Sequence, residues 1–144
     1  MDFRSIPQHL GLKADVIEVK LPAQLFNLVE LASFELGQNT PAFHSALLSY
    51  FIDQFSKQTF SPFVLNRRLN HGLLKGKAIK HMKFSGWEIS LKFNLIRAKS
   101  NLKSTVDIVK LVILNIYEEV LKRKNKQHIQ TLKKRIAHFH TVYI

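Results

Sequence analysis

Residues 17–22, Ile-Glu-Val-Lys-Leu-Pro, alternate apolar and polar side chains and then stop at a proline, the pattern of a short half-buried strand. A single strand leaves its backbone N–H and C=O groups unpaired and buries little apolar surface. Helical periodicity takes over directly after the proline, so the partner strand has to come from far along the same chain or from a second molecule. No other feature of the sequence limits the available folds as much.

After Pro22, Leu25, Leu28, Val29, Ala32 and Leu36 recur at three- and four-residue steps, which places them on one face of a helix. Gly37 follows as a left-handed C-cap. Thr40 then serves as an N-cap with Pro41 at the first helical position, opening a second helix with Phe43, Leu47, Leu48 and Phe51 on its apolar face. The order is strand, helix, short turn, helix.

Over residues 15–52 this order resembles the ribbon-helix-helix family, to which the MetJ and Arc repressors belong. The residues that carry the likeness are the alternating strand, the Leu21-Pro22 step, Leu25 and Val29, Gly37 in the turn, and the capped second helix with Phe43 and Leu47. In that family two such units pair their strands into one ribbon.

A shift of 64 residues finds a second unit in the same chain. It carries Leu25 to Ile89, Val29 to Phe93, Ala32 to Ile96, Leu47 to Leu111 and Leu48 to Val112, and every position stays apolar. Thr40 falls on Ser104, an N-cap with Asp107 at its third position, and Asn101 is expected in the left-handed position that Gly37 fills. The strand of this unit is expected at residues 79–84, slipped by one relative to the first. A rival reading puts it at 87–93, at the start of a stretch in which Trp87, Ile89, Leu91, Phe93 and Leu95 alternate strictly with polar residues. The repeat is preferred because it keeps the helices of equal length in both units.

The sequence thus divides into an N-terminal arm (1–14), a first unit (15–56), a basic connector (57–78) with a short helix near Phe63–Leu69, a second unit (79–121) and a basic C-terminal helix (122–144) with Ile129, Leu132, Ile136 and Phe139 on one face. The expected fold is mainly α with a short two-stranded antiparallel β-ribbon, a tandem ribbon-helix-helix pseudo-dimer closed by that last helix.

Charge bears on the partner. Twenty-two Lys and Arg against ten Asp and Glu give a formal net charge of +12, but residues 1–56 are net acidic and the remainder carries a formal +15. A polyanion is therefore expected to meet mainly the second part. The chain has no cysteine, which excludes disulfides, thiolate metal sites and a cysteine nucleophile. No apolar run approaches the roughly 20 residues of a spanning helix, so the expectation is a cytoplasmic protein without a membrane partner.

Enzymatic chemistry finds little to work with, and neither a catalytic residue nor a cofactor is expected. There is no glycine-rich phosphate loop. Glu118 and Glu119 are adjacent and so face different helix azimuths. His128, His138 and His140 could approach a metal, but the near-terminal pair lacks a neighbouring carboxylate and is read as surface. Trp87 and the phenylalanines fall at amphipathic spacings and are assigned to the core.

What the resemblance implies is DNA recognition. With Ile17, Val19 and Leu21 facing inward, Glu18 and Lys20 face out, and His81 and Lys83 do so in the second strand. These four are the expected base contacts, made by a ribbon in the major groove. The N-termini of the second helices, at Asn39 and Thr40 and at Lys103 and Ser104, are the expected phosphate contacts, extended by Arg67 and Arg68 of the connector. The plainer alternative for 17–21 is an ordinary strand with two solvated charges. The expected partner is double-stranded DNA, with a homo-oligomer on it, and the role is that of a transcriptional regulator or a TraY-like conjugation accessory acting beside a relaxase. Two other classes stay open: an antitoxin that grips a toxin through its C-terminal half, and a basic helical module that docks on protein or lipid.

Overall fold

The structure, a computed structural model, describes residues 14–142; the N-terminal arm, apart from its last residue, and the final two residues of the basic tail lie outside that range. The elements run β1 (Ala14–Leu21), α1 (Ala23–Glu35), α2 (Pro41–Ser56), α3 (Pro62–Leu69), β2 (Lys80–Trp87), α4 (Ile89–Lys99), α5 (Thr105–Ile116) and α6 (Lys126–Val142), with a 3-10 turn at Gly72–Leu74 and a π-helical stretch at Tyr117–Lys122. The molecule is mainly helical with one two-stranded antiparallel sheet.

β1 finds its partner 60-odd residues later in its own chain. It pairs with β2 antiparallel, Ile17 opposite Phe84, Glu18 opposite Lys83, Val19 opposite Met82 and Lys20 opposite His81. Val19, Leu21, Met82 and Phe84 are buried beneath the ribbon, while Val16, Glu18, Lys20, His81 and Lys83 stand on its solvent face. Such strict alternation fixes the register, because a slip of one residue would exchange the two faces.

Helix boundaries follow their punctuation. Thr40 Oγ1 accepts from Phe43 N at 3.1 Å, and Ser104 Oγ from Asp107 N at 3.4 Å. At the end of α1, Gly37 takes φ 86°, with Gly37 N bonded to Phe34 O and Gln38 N to Ser33 O, the paired bonds of a Schellman motif.

The second unit needs three corrections. Its strand runs to Trp87, three residues past the expected end, and the rival strand 87–93 does not form because Ile89–Lys99 is helical. Ile89, Phe93 and Ile96 are buried on one side of α4, whereas Leu91 and Leu95, which produced the alternating pattern, are left exposed. Asn101 is not left-handed; the turn is held instead by Ser100, whose Oγ donates to Ile96 O at 2.7 Å and accepts from Leu102 N at 3.2 Å. The left-handed residue of this unit is Glu88, φ 49°, at the N-cap of α4. It absorbs one extra residue: five steps separate Phe84 from Ile89, against four from Leu21 to Leu25. This spacing matches the one-residue slip that the 64-residue shift implies.

Packing joins the two halves. α2 lies against α4, α5 and β2, and α1 against α5. Leu21, Leu25, Leu47, Ile89, Ile96 and Leu111, drawn from both units, lie in one fully buried cluster. At about 1.5–3 kcal/mol for each buried large aliphatic side chain, that shared core gives neither half a complete interior of its own. α6 closes it by burying Leu132 and Ile136. His140, four residues beyond Ile136, is buried on the same stripe rather than at the surface, since helix spacing brings it round to the core.

Candidate nucleic-acid interface

The solvent face of the ribbon spans eight residue pairs, roughly 26 Å at about 3.3 Å per residue. Glu18 meets Lys83 directly across the ribbon, and its Oε1 lies 3.4 Å from His81 Nδ1. Opposite charges facing each other across an antiparallel pair attract, so the acidic residue is matched within the ribbon. Lys20 has His81 opposite it, not an acid. The face therefore offers Lys20 and Lys83 as cations, with Val16 and Ser85 at the far end.

The outer edge of β2 is fastened to α2. Ser45 Oγ accepts from Ser85 N at 3.3 Å and Ser49 Oγ donates to Ser85 O at 3.0 Å. These two serines, one helical turn apart, satisfy edge groups that would otherwise face solvent. They also set the first turns of α2, and hence Asn39 and Thr40, beside the ribbon. No acidic residue lies in the first turn of α2, whereas α5 carries Asp107 there. Of the two helix N-termini, the first is therefore the more favourable for an anion.

Asn39 is already engaged: its Oδ1 lies 2.7 Å from His44 Nε2, which donates when it bears the proton. Burial holds the His44 pKa below the usual 6.5, against the opposing pull of Glu30. A folded pKa below the unfolded one favours the neutral ring, so its contribution is present above about pH 6.5 and is lost as pH falls below that value. The expected result is a thermal midpoint that drops on mild acidification by more in the native chain than in His44→Gln, measured by circular dichroism melts.

No family model, curated protein or solved structure matches this chain.

The remaining basic candidates separate by environment. Arg68 extends from α3 to Glu118 at 2.6 and 3.3 Å and to Asn115 Oδ1 at 2.7 Å, a fork that ties the connector to α5 and the π-helical stretch. Arg67 faces solvent, its guanidinium 5.6 Å from the centre of the Phe63 ring. Lys103 and Ser104 are exposed, with the Lys103 carbonyl accepting from Arg97 Nε at 3.1 Å. Glu118 and Glu119 face apart: the second meets His128 Nε2 at 2.6 Å and Arg123 at 3.5 Å. Among the described residues no group of three His, Asp or Glu is placed to hold a metal ion, and no helix is long and apolar enough to cross a membrane.

Two functional-looking features were missed in the sequence. The serine pair Ser45 and Ser49 has helical spacing but no visible target until β2 is placed. The Arg68 fork depends on a contact across 50 residues, for which local pattern gives no signal.

Proposed function

We propose that the chain is a tandem ribbon-helix-helix protein that binds double-stranded DNA, inserting the β1–β2 ribbon into the major groove, and that it works as a regulator or DNA-processing accessory without catalysing a reaction. The observation that carries this reading is the ribbon register, which sets Glu18, Lys20, His81 and Lys83 on one exposed face beside the N-terminus of α2. A two-stranded ribbon fits a groove about 12 Å wide.

In this arrangement Lys20 and Lys83 donate to guanine O6 and N7. Glu18 accepts from cytosine N4, and Val16 offers its methyl groups to thymine. The backbone amides at Thr40 take a phosphate on one side, and Arg67 and Lys103 add attraction that does not depend on sequence. The two strands differ in sequence, so the two halves of the bound site need not be palindromic.

Selection from a pool of randomised duplexes tests the proposal. The native chain is expected to enrich a short motif, and Lys20→Ala is expected to relax the preference at particular base pairs while leaving the rest of the motif in place. A pool that stays random after repeated rounds would remove base reading from the account.

A further inference from the structure

A groove lies beside each of the two turns that join a first helix to a second. The 64-residue shift carries the α1–α2 turn at 36–40 onto the α4–α5 turn at 100–104. In each unit the segment that follows the second helix reaches the other unit's turn. α3, after α2, borders the α4–α5 turn, and the start of α6, after α5, borders the end of α1.

The two grooves match in position and differ in charge. At the second turn the groove, about 430 Å³, has Lys103 and Asp107 as its charged residues, and these cancel. At the first turn the groove, about 480 Å³, sets Lys124, Lys126 and Lys133 against the single Glu35, an excess of two positive charges. Among the described residues no ion pair engages these three lysines. Val120 and Ile129 line the groove beside them, apolar surface along which lysine stems lie while the ammonium heads reach water. Lys126 and Lys133 stand seven residues apart on α6, hence on one face and roughly 10 Å apart at about 1.5 Å per residue.

Lys133 ties this groove to the start of α2. Its Nζ lies 3.5 Å from the place a Cβ would take on Gly37, in the turn that ends at Thr40. Three residues of chain from Gly37 to Thr40 reach at most about 11 Å, on the order of three steps of about 3.4 Å along one DNA strand. The same helix start has no acid in its first turn, whereas α5 has Asp107 there. Groove charge and helix start thus favour an anion on the same side of the molecule.

We propose that, given a duplex bound by the ribbon as set out above, this lysine groove holds backbone phosphates of that duplex on the flank of the first unit, beyond the phosphate at Thr40. α6 thereby supplies cations to the half of the molecule whose own residues, 1–56, are net acidic. The contact adds affinity and no base reading, and each lysine that neutralises a phosphate releases a counterion.

Duplex affinity across a salt series tests this for the native chain, for Lys126→Ala/Lys133→Ala, and for Lys134→Ala/Arg135→Ala as a control. The control residues are also cations of α6, but they line a cleft on its other side with Tyr50 and Phe139. The first variant is expected to lose about 0.9 from the log–log slope for each lysine removed, while the control keeps the native slope. An unchanged slope in the first variant overturns the proposal, and so does an equal loss in the control, which would mean general attraction only. A native chain that binds no duplex at low salt removes the ribbon reading and the groove contact together. A steep native slope that the first variant retains removes the groove contact alone. A thermal midpoint that rises with inorganic phosphate in the native chain and not in the first variant, with slopes unchanged, assigns the groove to free phosphate and also overturns the duplex contact. Should the alanine pair lose its cooperative melt, Lys126→Gln/Lys133→Gln keeps most of each stem and must show the same loss of slope.

Discussion

Replacing Asp53 by alanine will destabilise the fold by roughly 3–5 kcal/mol, the cost of stripping a buried ion pair of one partner. Asp53 sits on α2, its side chain only 5% exposed, with Oδ1 3.1 Å from Lys92 Nζ on α4 and Oδ2 3.0 Å from Lys57 Nζ. Lys92 is nearly as buried, at 10%, and its ammonium lies 5.1 Å from the Phe139 ring centre. The pair therefore joins the first unit to the second and touches α6. Lys57 is 67% exposed, so solvent screens its share, and Lys57→Ala should cost no more than about 1 kcal/mol. A whole domain of this size is worth about 5–15 kcal/mol, which makes the Asp53 loss a large fraction of the total. Urea unfolding of Asp53→Ala, Lys92→Met and the double variant checks it. The double variant should be clearly more stable than the sum of the singles predicts, because removing both charges leaves neither one buried without its counter-charge. Additive losses would contradict this description.

Gly86→Ala is expected to cost about 1–3 kcal/mol, the range for overpacking a tight interior. A Cβ at Gly86 would stand 2.1 Å from Ser49 Oγ, 2.4 Å from Ile89 Cδ1 and 2.9 Å from Ser49 Cβ. Ile89 can turn its terminal methyl, but Ser49 Cβ is fixed to the α2 backbone, and rotating Ser49 Oγ gives up its bond to Ser85 O. The strand must therefore lift off α2. Because that seam seats the ribbon, DNA affinity should fall together with stability. Ser49→Ala in the Gly86→Ala background removes the closest approach and should recover part of the loss. No recovery would mean that the strand is not held by this seam.

The first unit was legible because its signals are local: alternation up to Leu21, Pro22 at the helix start, Gly37 in a left-handed turn and Thr40-Pro41 at the next cap. The second was harder for a physical reason. Trp87 to Leu95 satisfies both a period of two and a helical period, since Leu91 and Leu95 are apolar yet exposed, and hydrophobic pattern alone cannot decide such a segment. The segment is helical over Ile89–Lys99, with the left-handed Glu88 and the Ser100 turn in place of the devices expected. The outward positions of Glu18, Lys20, His81 and Lys83 could be read from alternation. The Asp53–Lys92 pair, the Arg68 fork and the Ser45 and Ser49 seam could not, because each is a single long-range meeting of polar groups and leaves no periodic trace.

The most direct test of the ribbon as a DNA-reading element is duplex affinity across a salt series, for the native chain and for Lys20→Ala/Lys83→Ala. The native chain is expected to bind tightly at low salt and to lose affinity steeply, with a log–log slope of about −0.9 for each phosphate neutralised. The double variant should melt as the native chain does, since both side chains are exposed, yet bind the duplex markedly more weakly. Absence of duplex binding by the native chain at low salt, or a folded double variant that binds as well as the native one, would contradict the account.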